Sequence, residues 1–82
     1  MDGVYKKYVG VDAYFDETGL VIPTCIHWDN GLKFPIDRIL DIRRAASLKA
    51  GGAGVRYTCR INGRQAYIWL EENKWFVEAK EN

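Results

Sequence analysis

Residues 54–71, GVRYTCRINGRQAYIWLE, decide the fold. Asn62-Gly63 lies at their centre, and Asn-Gly is the dipeptide best suited to a two-residue type I′ turn, whose central residues both take positive φ. A turn of that length sets the pairing of the flanking runs. Ile61 opposes Arg64, Arg60 opposes Gln65, Cys59 opposes Ala66, Thr58 opposes Tyr67, Tyr57 opposes Ile68, Arg56 opposes Trp69 and Val55 opposes Leu70. Strand side chains alternate between faces. One face is therefore Val55, Tyr57, Cys59, Ile61, Ala66, Ile68 and Leu70, which belongs in a core. The other carries Arg56, Thr58, Arg60, Gln65, Tyr67 and Trp69.

Working outward, the same punctuation recurs. Val9, Val11, Ala13 and Phe15 alternate with Tyr8, Gly10, Asp12 and Tyr14, the period of a half-buried strand, and Asp16-Glu17-Thr18-Gly19 follows as a turn. Leu20–Trp28 reads as a second strand, in which Pro23 marks an edge or a bulge because it donates no ladder hydrogen bond. Asn30-Gly31 is a second hairpin signal, and Glu72-Asn73 a last turn before Lys74–Glu78. The stretch 35–50, PIDRILDIRRAASLKA, reads two ways. Ile36, Ile39, Leu40, Ile42, Ala46 and Ala50 share one side of a helical wheel, with Pro35 at the first helical position and Gly51 after the end. Yet Arg43 and Ser47 fall inside that apolar side, and isoleucine-rich sequence after a hairpin favours a strand. The expectation is a strand through Arg43 and then a short helical turn or loop within 43–50, with a full helix as the competitor.

Composition bounds what such a chain can be. Eighty-two residues make one small domain, 1–82, and 48% apolar with 28% charged residues is the balance of a globular chain. No apolar run approaches the roughly 18 residues of a membrane span, and MDGVYKKYVG lacks the apolar centre of a secretory signal, so no membrane partner and a cytoplasmic location are expected. Free thiols follow from that location. Cys25, Cys59 and His27 are the chain's cysteines and histidine, fewer than the four ligands of a structural zinc site and without a CxxC pair. Cys25 and His27, spaced i, i+2, share a strand face and could seed a metal site, but two half-buried side chains and no metal are the expectation. No nucleophile–base–orienter set stands out, so no enzyme, catalytic residue or cofactor is expected.

Charge is distributed unevenly. Between Lys33 and Arg64 lie eight basic residues and two acids, a net +6, whereas the rest holds four lysines and nine acids, a net −5. Six of those eight are arginine, which pairs with phosphate in a bidentate fork and stacks on planar rings. The stretch 49–54, KAGGAG, matches neither a P-loop nor a dinucleotide-binding fingerprint and is expected to be a flexible connection.

The stretch IDRILDIRRAASLKAGGAGVRYTCRINGR, with WFVE near the end, resembles an uncharacterised family of short bacterial proteins found mainly in anaerobic Firmicutes. That resemblance implies no activity, substrate or catalytic residue. The strand order is also similar to small SH3-like barrels, a likeness of architecture alone.

The expectation is an all-β domain of five or six mostly antiparallel strands forming a small SH3-like barrel. Its expected core is Val9, Val11, Phe15, Phe34, Ile36, Leu40, Val55, Cys59, Ile61, Ile68, Leu70 and Phe76. The expected function is non-enzymatic binding of single-stranded nucleic acid or another polyanion. Arg56 and Arg60 would hold phosphates, Tyr67 and Trp69 would stack on bases, and Arg43, Arg44 and Lys49 would extend the track. The alternative is a protein-interaction or homodimerisation module using the same Tyr67/Trp69 face.

Overall fold

The computed structural model describes residues 3–47 and 50–80. Left-handed backbone marks the reversals between strands. Asn30 and Gly31 take φ of 61° and 75°, Asn62 and Gly63 take 51° and 74°, and Glu72 and Asn73 take 51° and 65°, each the pair of positive values a type I′ turn requires. Between these turns run β1 (Val4–Phe15), β2 (Val21–His27), β3 (Lys33–Pro35), β4 (Arg38–Ser47), β5 (Gly52–Ile61), β6 (Arg64–Glu71) and β7 (Lys74–Lys80). The fold is all-β and antiparallel, with seven strands where five or six were expected. Apart from a single 3-10 turn at Asp29–Gly31, the described residues contain no helix, and none of them forms a helix long and apolar enough to cross a membrane.

The strands form one sheet in the order β3-β2-β1-β7-β6-β5-β4, curled into a half-barrel. Two devices produce the curl. β1 changes partner midway, pairing through Val9 with β7 and from Gly10 onward with β2. The link between β3 and β4 then joins the sheet's two ends. The Ile36 N–H donates to the Thr24 carbonyl of β2 and the Asp37 N–H to the Arg60 carbonyl of β5, both at 2.9 Å. Across the interior, the Tyr57 hydroxyl donates to the Val21 carbonyl at 2.6 Å. The inner face holds Ile26, Tyr57, Cys59 and Ile68, all buried, with Val9, Val11, Phe34, Ile36, Ile39, Ile42, Val55, Ile61, Leu70 and Trp75 packed around them. Desolvation there pushes the Cys59 thiol up to about 11.

Two expected core residues are exposed. Leu40 is 39% exposed, because β4 carries a bulge: Ile39 pairs with Cys59 and Asp41 with Thr58, leaving Leu40 as the extra residue. The bulge resets the alternation, so Ile39 and Ile42 both reach the core. Phe15 is 75% exposed because it sits beside the turn of the β1–β2 hairpin, with Tyr14 and Leu20 also exposed. Pro23 does mark a bulge, since Asp12 pairs with Cys25 and Ala13 with Pro23, skipping Thr24.

The stretch after Arg43 also departs from expectation. It continues as strand to Ser47, neither a helical turn nor a helix, while Leu48 and Lys49 lie outside the described residues. The expected flexible connection is correspondingly shorter, since Gly52, Ala53 and Gly54 belong to β5. The reason is the sequence opposite: Ala45 pairs with Gly54, Ala46 with Ala53 and Ser47 with Gly52. Facing rows of minimal side chains let this hairpin end lie flat against another surface, and tertiary contact overrides the helical preference of alanine.

The Glu72-Asn73 turn holds two non-glycine residues in a left-handed conformation that costs an ordinary L-residue roughly 1–2 kcal/mol. Replacing the pair with Asn-Gly (Glu72→Asn with Asn73→Gly) is expected to raise unfolding free energy by about 1 kcal/mol in urea titration. A loss of stability would contradict the turn geometry.

Candidate polyanion-binding face

The β5–β6 register matches the sequence reading at all seven positions, from Ile61↔Arg64 to Val55↔Leu70. The face turned away from the half-barrel interior therefore carries Arg56, Thr58, Arg60, Gln65, Tyr67 and Trp69. β4 adds to it: Arg43 pairs with Arg56 and Arg38 with Arg60. The Arg56 guanidinium carbon lies 4.7 Å from the centre of the Tyr67 ring, a cation–π contact, and Tyr67 remains 40% exposed.

Trp69 does not join this surface. It is 3% exposed, with its ring stacked on Phe76 at 5.4 Å between centroids and 6° between planes, so it offers no platform for a base. The far end of the β4–β5 hairpin closes on the Phe76 ring that Trp69 stacks against. A Cβ on Gly52 would lie 2.7 Å from the Phe76 ring and 2.6 Å from Lys6 Cε, and one on Gly54 would lie 2.3 Å from the Leu70 carbonyl oxygen. Only glycine allows that approach. Polar contacts fasten the flap. The Ala53 N–H donates to Glu71 Oε2 at 2.7 Å, Lys6 Nζ donates to Glu71 Oε1 at 2.6 Å, and Ser47 Oγ donates to Glu78 Oε2 at 2.6 Å. The Lys6 ammonium and the Ala53 N–H hold the Glu71 carboxyl below the usual carboxylate range. Phe76 is buried as expected, but in this second cluster rather than the inner core.

The remaining predicted residues separate. Arg43 shares the Arg56 face but is engaged by Asp41, Nε to Oδ2 at 2.6 Å, and this contact holds the Asp41 carboxyl below its ordinary range. Arg44 alternates to the opposite face, opposite Val55. Lys49 lies outside the described residues. Arg43, Arg56, Arg60 and Tyr67 thus come together, while Arg44 and Trp69 do not join them.

Arg38 belongs to the face and was not singled out in the sequence, because the bulge at Leu40 decides which side it occupies. Arg64 was also missed. The β6–β7 ladder ends at Trp69↔Phe76, although β6 continues back to Arg64 and β7 onward to Lys80. The gap opens a groove of about 880 Å³ lined by Ile26, Trp28 and Phe34 together with Arg64, Tyr67 and Glu78. A ladder that stops before its strands do leaves no trace in hydrophobic alternation.

Most of the arginines are without an ion pair among the described residues. Lys6 pairs with Glu71 and Lys7 with Asp29, whereas Arg38, Arg44, Arg56, Arg60 and Arg64 have no ion pair among the described residues. Nε of Arg56 and Nε1 of Trp69, cross-strand neighbours, are buried donors with no acceptor among those residues.

Burial of the indole predicts that Trp69→Ala costs about 3–5 kcal/mol of stability in denaturant titration, as for a core aromatic. Tyr67→Ala, which removes a half-exposed ring and its cation–π contact, is expected to cost about 1 kcal/mol or less. Equal losses would contradict the flap arrangement. Compared with known proteins, the chain matches no family model, no curated protein and no solved structure.

Proposed function

We propose that the protein is a non-enzymatic binding module for a polyanion, single-stranded nucleic acid in the first instance, acting through the Arg38/Arg43/Arg56/Arg60/Tyr67 face. The observation that carries this reading is the placement of Arg38 directly opposite Arg60 and Arg43 directly opposite Arg56 on adjacent strands. Like charges on the same rung destabilise a sheet, and a repeating phosphate backbone converts that repulsion into attraction. Two further features support it. Nε of Arg56 is a buried donor without an acceptor among the described residues, a deficit of about 1–3 kcal/mol that a phosphate oxygen would fill. Tyr67 presents an exposed ring beside the guanidinium groups, where an unpaired base can stack. Trp69 supports this surface from beneath instead of touching ligand.

Each neutralised phosphate of a single strand contributes about 0.7 to the slope of log affinity against log salt. Fluorescence anisotropy with short labelled oligonucleotides is therefore expected to show salt-sensitive binding. The double variant Arg38→Gln/Arg60→Gln should reduce the slope by about 1.4 and weaken binding at low salt about tenfold or more. Its melting temperature should not fall, since a repulsive rung is removed. Wild-type binding indifferent to salt, or an unchanged affinity in the double variant, would reject the reading.

A second reading, a protein-interaction or homodimerisation module, draws on a different observation: Tyr14, Phe15 and Leu20 expose apolar area together at the β1–β2 turn. It predicts a dimer by light scattering at micromolar concentration that Phe15→Ser returns to monomer. A wild-type monomer across that range would exclude self-association.

A further inference from the structure

One group of side chains lies apart from the basic face, on the β1–β2 ribbon. Asp12 pairs directly with Cys25, and Gly10 pairs directly with His27, so these four positions form a block on one side of the ribbon. Val11, between them on β1, points the other way into the core, as does Ile26 between them on β2. Three corners of the block carry a carboxylate, a thiol and an imidazole, and the fourth is glycine. The ligating atoms of Asp12, Cys25 and His27 all lie within 4.8 Å of one another. His27 Nε2 is 2.9 Å from Asp12 Oδ1 yet makes no hydrogen bond, although the nitrogen itself is shielded from solvent.

We propose that Asp12, Cys25 and His27 form a binding site for a divalent transition-metal ion of the zinc class. The donor set selects the ion. A thiolate and an imidazole suit Zn²⁺ and its neighbours, and a single carboxylate is too few oxygens for Mg²⁺ or Ca²⁺. Donor atoms bound at about 2.0–2.3 Å around one tetrahedral ion lie roughly 3.3–3.8 Å apart. Separations of at most 4.8 Å leave about 1 Å for side-chain rotation to close. Charge also balances: an ionised Asp12 and a thiolate at Cys25 together neutralise a dication, and binding releases the thiol proton. A shielded imidazole nitrogen without a hydrogen bond gains a ligand bond. Gly10 leaves the fourth coordination position open to water or to an exogenous ligand, so the site has the three-ligand form of an accessible centre rather than the closed four-ligand form of a structural one.

The bulge at Thr24 makes this arrangement possible. By inserting one residue into β2, it changes the pairing between Asp12↔Cys25 and Ala13↔Pro23 at the point where the ribbon leaves the sheet body. The Thr24 hydroxyl donates to the Asp12 carbonyl at 3.1 Å and fastens the bulge to the residue that supplies the carboxylate. Cys59 is the internal contrast. It is fully buried, its thiol is pushed up to about 11, and no other ligand-bearing residue is grouped with it among the described residues.

The test is titration of the reduced 82-residue chain with Co²⁺, followed by absorption. The expected result is a 1:1 complex with a near-ultraviolet thiolate-to-cobalt charge-transfer band and the strong visible bands of tetrahedral cobalt, both discharged by Zn²⁺. Cys25→Ser should abolish the charge-transfer band. His27→Gln and Asp12→Asn should each weaken binding by about a hundredfold or more, since loss of even an outer hydrogen-bond partner costs a metal site roughly 10–100-fold. Circular dichroism confirms that each variant is folded, and Zn²⁺ should protect Cys25 from iodoacetamide in the wild type, as read by peptide mass. Absence of the charge-transfer band, its survival in Cys25→Ser, or unchanged affinity in both His27→Gln and Asp12→Asn would overturn the proposal.

Discussion

A sheet has two faces, and with no α-helix among the described residues it is the strands themselves that cover them. That constraint governs this structure. The inner face is covered by curling, which brings Ile26 of β2 and Tyr57 of β5 into one cluster. On the other face Gly52 lets the end of the β4–β5 hairpin close on Phe76, against which Trp69 is stacked. A domain of this size buries only about 60–65% of the surface its unfolded chain exposes, so two thin cores take the place of one thick one. Polar fastening at Glu71 and Glu78 then does what a few more apolar residues would do in a larger protein.

Local signals carried much of this architecture into the sequence. The two Asn-Gly pairs set turn type and register together, because a two-residue loop with positive φ at both positions leaves no freedom to slip. From Asn62-Gly63 alone, seven cross-strand neighbours follow. Alternation placed Val9, Val11, Cys59 and Ile68 inside, and Pro23 announced a bulge. What local pattern cannot express is an event that depends on a distant segment. Leu40 is displaced by a bulge that shifts parity without a glycine or proline to mark it. Residues 43–47 read as helix or loop because Ala-Ala-Ser has no strand preference of its own, and their pairing depends on Gly52, Ala53 and Gly54 across the turn.

Trp69 shows the same limit on the side of function. Alternation correctly places it opposite Arg56, on the face away from Tyr57 and Ile68. A solvent-facing indole follows from that placement only if nothing covers the sheet. The covering element, a row of glycine and alanine, carries no hydrophobic signal, because what it contributes is the absence of bulk. The platform therefore narrows to Tyr67 and its arginines, and the tryptophan that looked most like a ligand contact becomes the support beneath them.

The distribution of acids explains why the arginines remain available. Glu71 and Glu78 are engaged where the flap must be held, each within reach of a donor from a strand that is not its neighbour. Asp37 accepts from the Asn62 N–H, and Asp41 binds Arg43 while also feeling the charge of Arg56, so neither forms an ion pair with Arg38, Arg56 or Arg60 among the described residues. A sheet selected for stability alone would set threonine or glutamate across from an arginine, since opposite or neutral rungs are favourable and like rungs are not. Solvent screening over about 10 Å keeps the repulsion tolerable without removing it. An anion laid along β4 and β5 would relieve both rungs and reach the unfilled Nε of Arg56. By mass action its binding would then stabilise the same hairpin that holds the second core closed.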